Sequence, residues 1–220
     1  MNRTNRILLG ALLGVLVVLA PLAVTWVFVP VAVDDTLVVF ALLAAALAAS
    51  EADAQTERSE GNPEDRRLFG TPSPLTLGML VCGWAAVLQH AVAVPTPDLQ
   101  RLVGGGGAMA GGVGVYWLAV RTLGPWFLDE VRVAEGQPLV TSGIYGQMRH
   151  PAATASVIIA GGGALVLGSG IAILLTIVVQ VPLVIWQTRQ EDRVLRDHFG
   201  DAFLAYRKDV PSLVPRPRAR

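Results

Sequence analysis

The sequence predicts an all-α polytopic membrane protein with about six transmembrane helices, in a range of five to seven. Hydrophobic residues make up 53% of the 220 positions and charged residues 15%, whereas a soluble domain carries about 25% charged residues. Long segments such as 7–33 and 151–188 contain no charged residue. Apolar runs of about 18 or more residues are typical of membrane spans, so the composition excludes a soluble enzyme.

The apolar segments define the predicted spans in order, at approximately 7–29, 35–50, 75–95, 102–122, 152–168 and 170–187. The first exceeds the roughly 7–15 residues of a signal-peptide core, so we interpret it as an uncleaved span. The second is the least apolar, because Asp34 and Asp35 stand at its start. Only residues 168–170 separate the last two spans, and so short a turn predicts a C-terminal helical hairpin.

The basic residues predict the orientation in the membrane. With the N-terminus inside, 16 of the 17 Lys and Arg residues fall in cytoplasmic segments, and only Arg101 lies outside. By the positive-inside rule this is a multi-pass cell-membrane protein with both termini cytoplasmic. Residues 1–100 then form N-terminal transmembrane helices with a cytoplasmic loop at 51–74, and residues 101–220 form a membrane core with a C-terminal cytoplasmic helix.

That cytoplasmic helix is predicted within residues 188–209, where apolar residues recur at spacings of three and four. Gly200 is expected to end one piece of it and Asp201 to cap the next. The glycine-rich stretch 104–114 contains GxxxG spacings, for example Gly107 and Gly111, which favour close helix packing over a phosphate-binding loop.

Three further observations limit the function. The single cysteine, Cys82, has apolar neighbours that favour a buried packing role over a reactive thiol. His90 and His198 lack metal-ligand spacing, so no metal site is expected. The net charge of zero gives no indication of nucleic acid binding.

The residues that could carry chemistry lie on both sides of the predicted hairpin. Pro151 suits the first turn of a helix, so Arg149 and His150 would stand at a helix N-terminus, which favours an anionic group such as a carboxylate. The short turn would bring Glu191 and Asp192 to the same depth, and the combined charges would fit a zwitterionic ligand. The alternative is that the basic pair extends to the lipid headgroups and the acidic pair forms surface ion pairs with neighbouring arginines.

These residues form two motifs, L-V-T-S-G-I-Y-x-x-x-R-H-P and, beyond the hairpin, E-D-x-x-L-x-x-x-F-G-x-x-F-x-x-Y-x-x-x-V-x-x-x-x-P. Their order resembles the isoprenylcysteine carboxyl methyltransferase family, which broadly includes phospholipid methyltransferases, over about residues 120–216. The resemblance implies an integral membrane S-adenosylmethionine-dependent methyltransferase. Its acceptor would be lipophilic or membrane-associated, with a carboxylate, a thiol or a lipid headgroup as the methylated group.

The resemblance also assigns roles to residues. Arg149 and His150 would be catalytic, and the cofactor-binding residues would be Gly143, Tyr145, His150, Pro151, Glu191 and Asp192. The expected partners are membrane lipids and a lipophilic small-molecule or lipid acceptor, with no nucleic acid. The sequence specifies neither the acceptor nor the oligomeric state.

The chain departs from the family pattern at four positions. Ala153 replaces a tyrosine, Ala155 a glycine and Asp192 a glutamate, and Gln187 stands where a basic residue is often found. Two rival interpretations remain. Membrane sterol and enone reductases, which use NADPH, carry a similar R-H-P segment but generally lack the acidic pair followed by L-x-x-x-F-G. The other rival is a non-catalytic membrane scaffold of the same fold, which the loss of the tyrosine would permit.

Overall fold

A computed structural model of the protein describes residues 74–93, 98–127, 133–134 and 136–215. The predicted spans at 7–29 and 35–50, and nearly all of the predicted loop 51–74, lie outside these residues. Every secondary-structure element within the described ranges is a helix, which confirms the all-α prediction for this part of the chain. The α-helices are α1 Pro74–Ala93, α2 Leu99–Leu123, α3 Pro151–Val166, α4 Gly170–Leu175, α5 Val181–Phe199 and α6 Asp201–Asp209.

Local sequence signals set the helix boundaries. Helix α2 begins at Leu99 because the side chain of Asp98 accepts a hydrogen bond from the backbone N–H of Gln100 at 2.9 Å. Helix α3 begins at Pro151 and ends at Val166, two residues before the predicted end. The turn that follows contains Gly168 at φ +63°, and the Ser169 hydroxyl then caps α4.

Helices α2 and α3 approach so closely that their backbones touch at glycines. A Cβ added at Gly105 would lie 2.8 Å from the carbonyl oxygen of Gly162, and one added at Gly162 would lie 2.7 Å from the backbone nitrogen of Met109. The predicted close packing is therefore present in the glycine-rich stretch 104–114, and Gly105 is one of the residues that make it. Gly107 and Gly111, the example of the spacing, have no neighbour among the described residues within 4 Å of an added Cβ. Glycine permits this close approach because it has no side chain that would hold the two backbones apart.

A π-helical segment, Thr176–Gln180, joins α4 and α5 into one helix of 30 residues, Gly170–Phe199. The segment orients a buried amide, since Gln180 Nε2 donates to the Ser156 hydroxyl of α3 at 3.1 Å. Cys82 is buried, in agreement with a packing role, and His90 is buried with its Nδ1 donating to the carbonyl oxygen of Leu167 at 3.0 Å. These polar contacts join α1, α3 and the long helix inside the bundle.

The long helix corrects one prediction about the C-terminal region. Residues 188–199 do not start a separate amphipathic helix but continue the helix that begins at Gly170. The break at Gly200 is present, with φ +54°. Gly200 itself is the N-cap residue of α6, however, and Asp201 lies in the first turn without a capping hydrogen bond, so the predicted cap was wrong.

Two helices in the described part of the chain are long and apolar enough to cross a membrane, Leu99–Trp126 and Gly170–Phe199. Two shorter apolar helical segments, Gly78–His90 and Pro151–Val166, accompany them. Large apolar side chains such as Trp84, Trp117 and Ile177 are exposed on these helices. An apolar exterior of this kind is what a lipid environment requires.

Candidate functional site

The R-H-P segment reaches the site through a tight turn. A 3-10 helix, Gly143–Gly146, precedes it, and Gly143 has φ +59°, which an L side chain rarely adopts. A Cβ at Gly143 would also lie 3.1 Å from Thr122 Cγ2 of α2. Helix α3 then begins at Pro151, with His150 as its N-cap residue, as the sequence predicts.

Arg149 is enclosed by protein acceptors. Its side chain is 7% exposed, and its Nε and Nη2 donate to the two carboxylate oxygens of Asp192 at 3.3 and 2.8 Å. Its Nη1 donates to the carbonyl oxygens of Val210, at 2.6 Å, and Arg207, at 3.4 Å, at the end of α6. The guanidinium therefore joins α5 to the C-terminus of α6, where a cation also complements the helix dipole.

His150 bridges the acidic pair. Its Nδ1 donates to Glu191 Oε2 at 2.8 Å and its Nε2 donates to Asp192 Oδ1 at 2.9 Å. Ionised carboxylates only accept hydrogen bonds, so this geometry requires a proton on both ring nitrogens, that is, an imidazolium. The ring then has no lone pair with which to act as a base.

The charges in this cluster shift the pKa values in opposite directions. Burial alone would lower the pKa of His150, but the hydrogen bonds to Asp192 and Glu191, with their charges, raise it above its ordinary value. Burial alone would raise the pKa of Asp192, but the hydrogen bonds from His150 and Arg149 hold it below its ordinary value. Both pKa shifts favour the charged side chain at neutral pH, the imidazolium of His150 and the carboxylate of Asp192.

The two acidic residues have different environments. The side chain of Asp192 is 14% exposed, and both of its oxygens accept from Arg149 or His150. The side chain of Glu191 is 30% exposed; its Oε1 accepts from Gln187 Nε2 at 2.9 Å, one turn earlier on α5. Glu191 therefore retains surface that a ligand can reach, whereas Asp192 holds the basic pair in place.

A segment that sequence reasoning missed completes the cluster. The backbone N–H groups of Arg149 and His150 donate to the carbonyl oxygens of Pro211, at 2.9 Å, and Ser212, at 3.0 Å. The Thr154 hydroxyl donates to the next carbonyl oxygen, that of Leu213, at 2.8 Å. We call residues 210–213 the C-terminal strap. Its side chains give no signal of this role because the contacts use backbone carbonyl groups.

Tyr145 supports the cluster from the preceding turn. The residue is buried, and its carbonyl oxygen accepts a hydrogen bond from the Tyr206 hydroxyl of α6 at 2.6 Å. Burial, followed by the charge of Glu191, raises the pKa of Tyr145 well above its ordinary range. Burial is also the main cause that raises the pKa of Tyr206 to about 12, so both phenols are neutral.

Ala153, which replaces the family tyrosine, lies inside the bundle. It is 4% exposed and packs with Val184 of α5, and Leu213 of the C-terminal strap contacts the same apolar cluster. The side chain at position 153 therefore contributes to the contact between α3 and α5, three residues along the chain from His150 of the charged cluster.

The structure thus brings together Arg149, His150, Glu191 and Asp192, as predicted from the short turn. Pro151 starts the helix, and Gly143 and Tyr145 form the adjoining turn. The structure differs from the prediction in the groups that these charged side chains contact. The basic and acidic side chains neutralise each other, and Arg149 and His150 are not left facing an anionic ligand group.

Comparisons with known proteins concern the family and the fold. Residues 100–202, which contain both charged pairs, match the model of the phospholipid methyltransferase family. The solved structure of a eukaryotic intramembrane Ras methyltransferase, isoprenylcysteine carboxyl methyltransferase, has the same fold, with a TM-score of 0.63 and 18% sequence identity. The match covers 82% of this chain and 67% of that chain. No curated protein sequence matches the chain. The family match and the shared fold confirm the predicted resemblance to phospholipid and isoprenylcysteine carboxyl methyltransferases.

Proposed function

We propose that this protein is an integral membrane methyltransferase that transfers a methyl group from S-adenosylmethionine to a lipophilic acceptor at the cytoplasmic membrane surface. The observation that carries the proposal is the cluster of Arg149, His150, Glu191 and Asp192. It joins the start of α3 to α5 within the segment that matches the phospholipid methyltransferase family. The same resemblance implies the cofactor and the lipophilic acceptor.

Helix length supports the location of this cluster at the membrane surface. A helix of 30 residues is about 45 Å long, whereas the hydrocarbon core of a bilayer is about 30 Å thick. Counted from Gly170, about 20 residues cross the core, so Glu191 and Asp192 stand where the helix leaves it. With the positive-inside orientation and six spans that include a C-terminal hairpin, this surface is the cytoplasmic one.

The residues present fit the cationic part of S-adenosylmethionine. The Glu191 carboxylate is partly exposed and can face an ammonium or sulfonium group. Arg149 and His150 are already paired with the acidic residues and with strap carbonyl groups, so they are less suited to the cofactor's carboxylate. We therefore assign Glu191 to the cofactor and Asp192, Arg149 and His150 to positioning.

When bound, the cofactor supplies an electrophilic methyl group on a sulfonium. The protein's task is to hold the acceptor in line with that group, at about 3–3.5 Å, and to exclude water. Because His150 is an imidazolium with both nitrogens engaged, it does not remove a proton from the acceptor. This favours acceptors that are nucleophilic without it, such as a carboxylate or a thiolate. An acceptor that enters sideways from the lipid would meet the site at the end of the span.

The proposal is tested first by binding and then by transfer. Purified protein in detergent is incubated with labelled S-adenosylmethionine and, separately, with NADPH. Glu191→Gln removes the charge but keeps the size of the side chain, and Asp197→Asn, at a side chain 70% exposed, is the matched control. Membranes that contain each variant are then incubated with the labelled cofactor, and the labelled product is identified.

We expect the wild type and Asp197→Asn to bind S-adenosylmethionine and to label a lipid-extractable product. Glu191→Gln should lower binding and labelling by about tenfold or more, because one charge-assisted contact is lost. Binding of NADPH without S-adenosylmethionine would support a membrane reductase instead. Binding of neither cofactor, with cellular function intact in Glu191→Gln, would support a scaffold.

A further inference from the structure

The side-chain amide of Gln187 is a buried polar group at the site, and its contacts with the described residues account for its nitrogen but not for its oxygen. It lies on α5, one turn before Glu191, and is 5% exposed. Its Nε2 donates to Glu191 Oε1 at 2.9 Å. Its Oε1 is buried and accepts no hydrogen bond from the described residues.

The orientation of this amide follows from chemistry. The Glu191 carboxylate only accepts hydrogen bonds, so the amide nitrogen must face it and the amide oxygen must point elsewhere. Buried polar groups are nearly always hydrogen-bonded, because leaving one without a partner forfeits its hydration. A buried acceptor beside a ligand site therefore requires a donor, and the described residues do not supply one.

We propose that Gln187 is a ligand-binding residue whose Oε1 accepts a hydrogen bond from the ammonium group of bound S-adenosylmethionine, next to the Glu191 carboxylate. The inference rests on the proposed function and adds a contact that the acidic pair alone does not provide. Asp192 is less suited to this contact than Glu191, because its side chain is less exposed and both of its oxygens accept hydrogen bonds from the buried basic pair.

The distances allow one ammonium to reach both acceptors. Amide bond lengths place the oxygen of a carboxamide about 2.2 Å from its nitrogen. With 2.9 Å from that nitrogen to Glu191 Oε1, the two oxygens are no more than about 5 Å apart. An ammonium nitrogen that lies about 2.8 Å from each oxygen can bridge this separation.

The residue type at this position has a consequence for the ligand. A basic side chain, often found here in the family, has donors only and would repel an ammonium beside Glu191. The carboxamide of Gln187 supplies an acceptor instead. Gln187 thus acts as a second, neutral acceptor for the same ligand group.

The test compares two ligands and two matched variants. S-adenosylhomocysteine and its analogue without the α-amino group are titrated by calorimetry into purified wild-type protein, Gln187→Met and Gln190→Met. Methionine keeps the length of glutamine but has no strong hydrogen-bonding group. Gln190, three residues along the same helix, is the control, because among the described residues its amide oxygen accepts a hydrogen bond from the exposed Arg193 at 3.3 Å.

We expect Gln187→Met to weaken S-adenosylhomocysteine binding by about ten- to a hundredfold, the range for a hydrogen bond to a charged group. It should leave the affinity for the deaminated analogue within about twofold of the wild type, because that ligand has no donor for Oε1. Gln190→Met should match the wild type with both ligands.

Two results would overturn the inference. One is an equal loss of affinity for both ligands in Gln187→Met, which indicates a structural role. The other is unchanged affinity for S-adenosylhomocysteine. If the wild type binds neither ligand, the proposed function itself fails. Should Gln187→Met not fold, as judged by thermal unfolding, Gln187→Asn serves in its place, since it withdraws the oxygen by one methylene and should show the same difference between ligands.

Discussion

The contact between α2 and α3 gives the sharpest prediction about the scaffold, because two adjacent glycines on α3 differ completely in their surroundings. A Cβ added at Gly162 would lie 2.7 Å from the backbone nitrogen of Met109 and 2.8 Å from the carbonyl oxygen of Gly105. One added at Gly161 has no neighbour within 4 Å among the residues that the structure describes. A comparison of Gly162→Ala with Gly161→Ala therefore isolates the effect of the backbone contact between α2 and α3 on stability.

The magnitude follows from the overlap. Ordinary van der Waals contact begins at 3.4 Å, so 3.4 − 2.7 = 0.7 Å must be gained by moving one backbone from the other. Overpacking of this kind costs about 1–3 kcal/mol. Both substitutions gain about the same helix propensity, up to about 1 kcal/mol, so that contribution cancels in the comparison. For a chain of this size the difference corresponds to an unfolding temperature lower by about 2–12 °C in Gly162→Ala.

Thermal unfolding in detergent, followed by tryptophan fluorescence, measures this difference. Gly161→Ala should unfold at or slightly above the wild-type temperature. The reasoning is refuted if the two variants unfold at the same temperature, or if Gly162→Ala is the more stable one. Either result would mean that the α2 and α3 backbones do not touch at this point.

Two further predictions concern the charged cluster. Asp192→Asn leaves the buried Arg149 guanidinium without its charge partner and should reduce the free energy of unfolding by about 3–5 kcal/mol. The exposed Asp197→Asn should change the free energy of unfolding by less than about 0.5 kcal/mol. Denaturant unfolding of both variants measures the difference. The second prediction is a pH dependence. The pKa of His150 is raised, so its contribution is complete below the ordinary value of 6.5 and is lost as the pH rises through the folded-state pKa. The pKa of Asp192 is lowered, so its contribution is present above the ordinary value of 3.8 and is lost as the pH falls through its folded-state pKa. The stability difference between wild type and His150→Gln should therefore be largest between these two pH values, and a difference independent of pH would contradict the assignment.

The sequence was sufficient to predict that the start of α3 meets the acidic pair on α5, but not that the C-terminal strap joins them. Pro151 predicts the start of α3, and the short turn near Gly168 predicts that residues far apart in the chain lie side by side. These signals are local, because they depend on the conformational limits of proline and glycine. The meeting of Arg149 and His150 with the acidic pair follows from them.

Other features depend on helix rotation and could not be predicted. Gly105 and Gly112 are seven residues apart and share the face of α2 that meets α3. The GxxxG spacing instead indicated Gly107 and Gly111, which lie on a face that does not meet α3. A pattern of small residues shows that some face permits close packing but not which face is used. The unequal exposure of Glu191 and Asp192 has the same origin, because adjacent helical residues point in directions about 100° apart.

The C-terminal strap has a consequence for the order of events during synthesis. Arg149 and His150 are synthesised some sixty residues before the carbonyl groups of Pro211 and Ser212 that hold their backbone. At synthesis rates of about 5–20 residues per second, several seconds separate the two. During that interval the membrane helices can insert while the charged cluster is still incomplete. The hydrogen bonds that hold the backbone of Arg149 and His150 are therefore complete only after residues 210–213 have been translated.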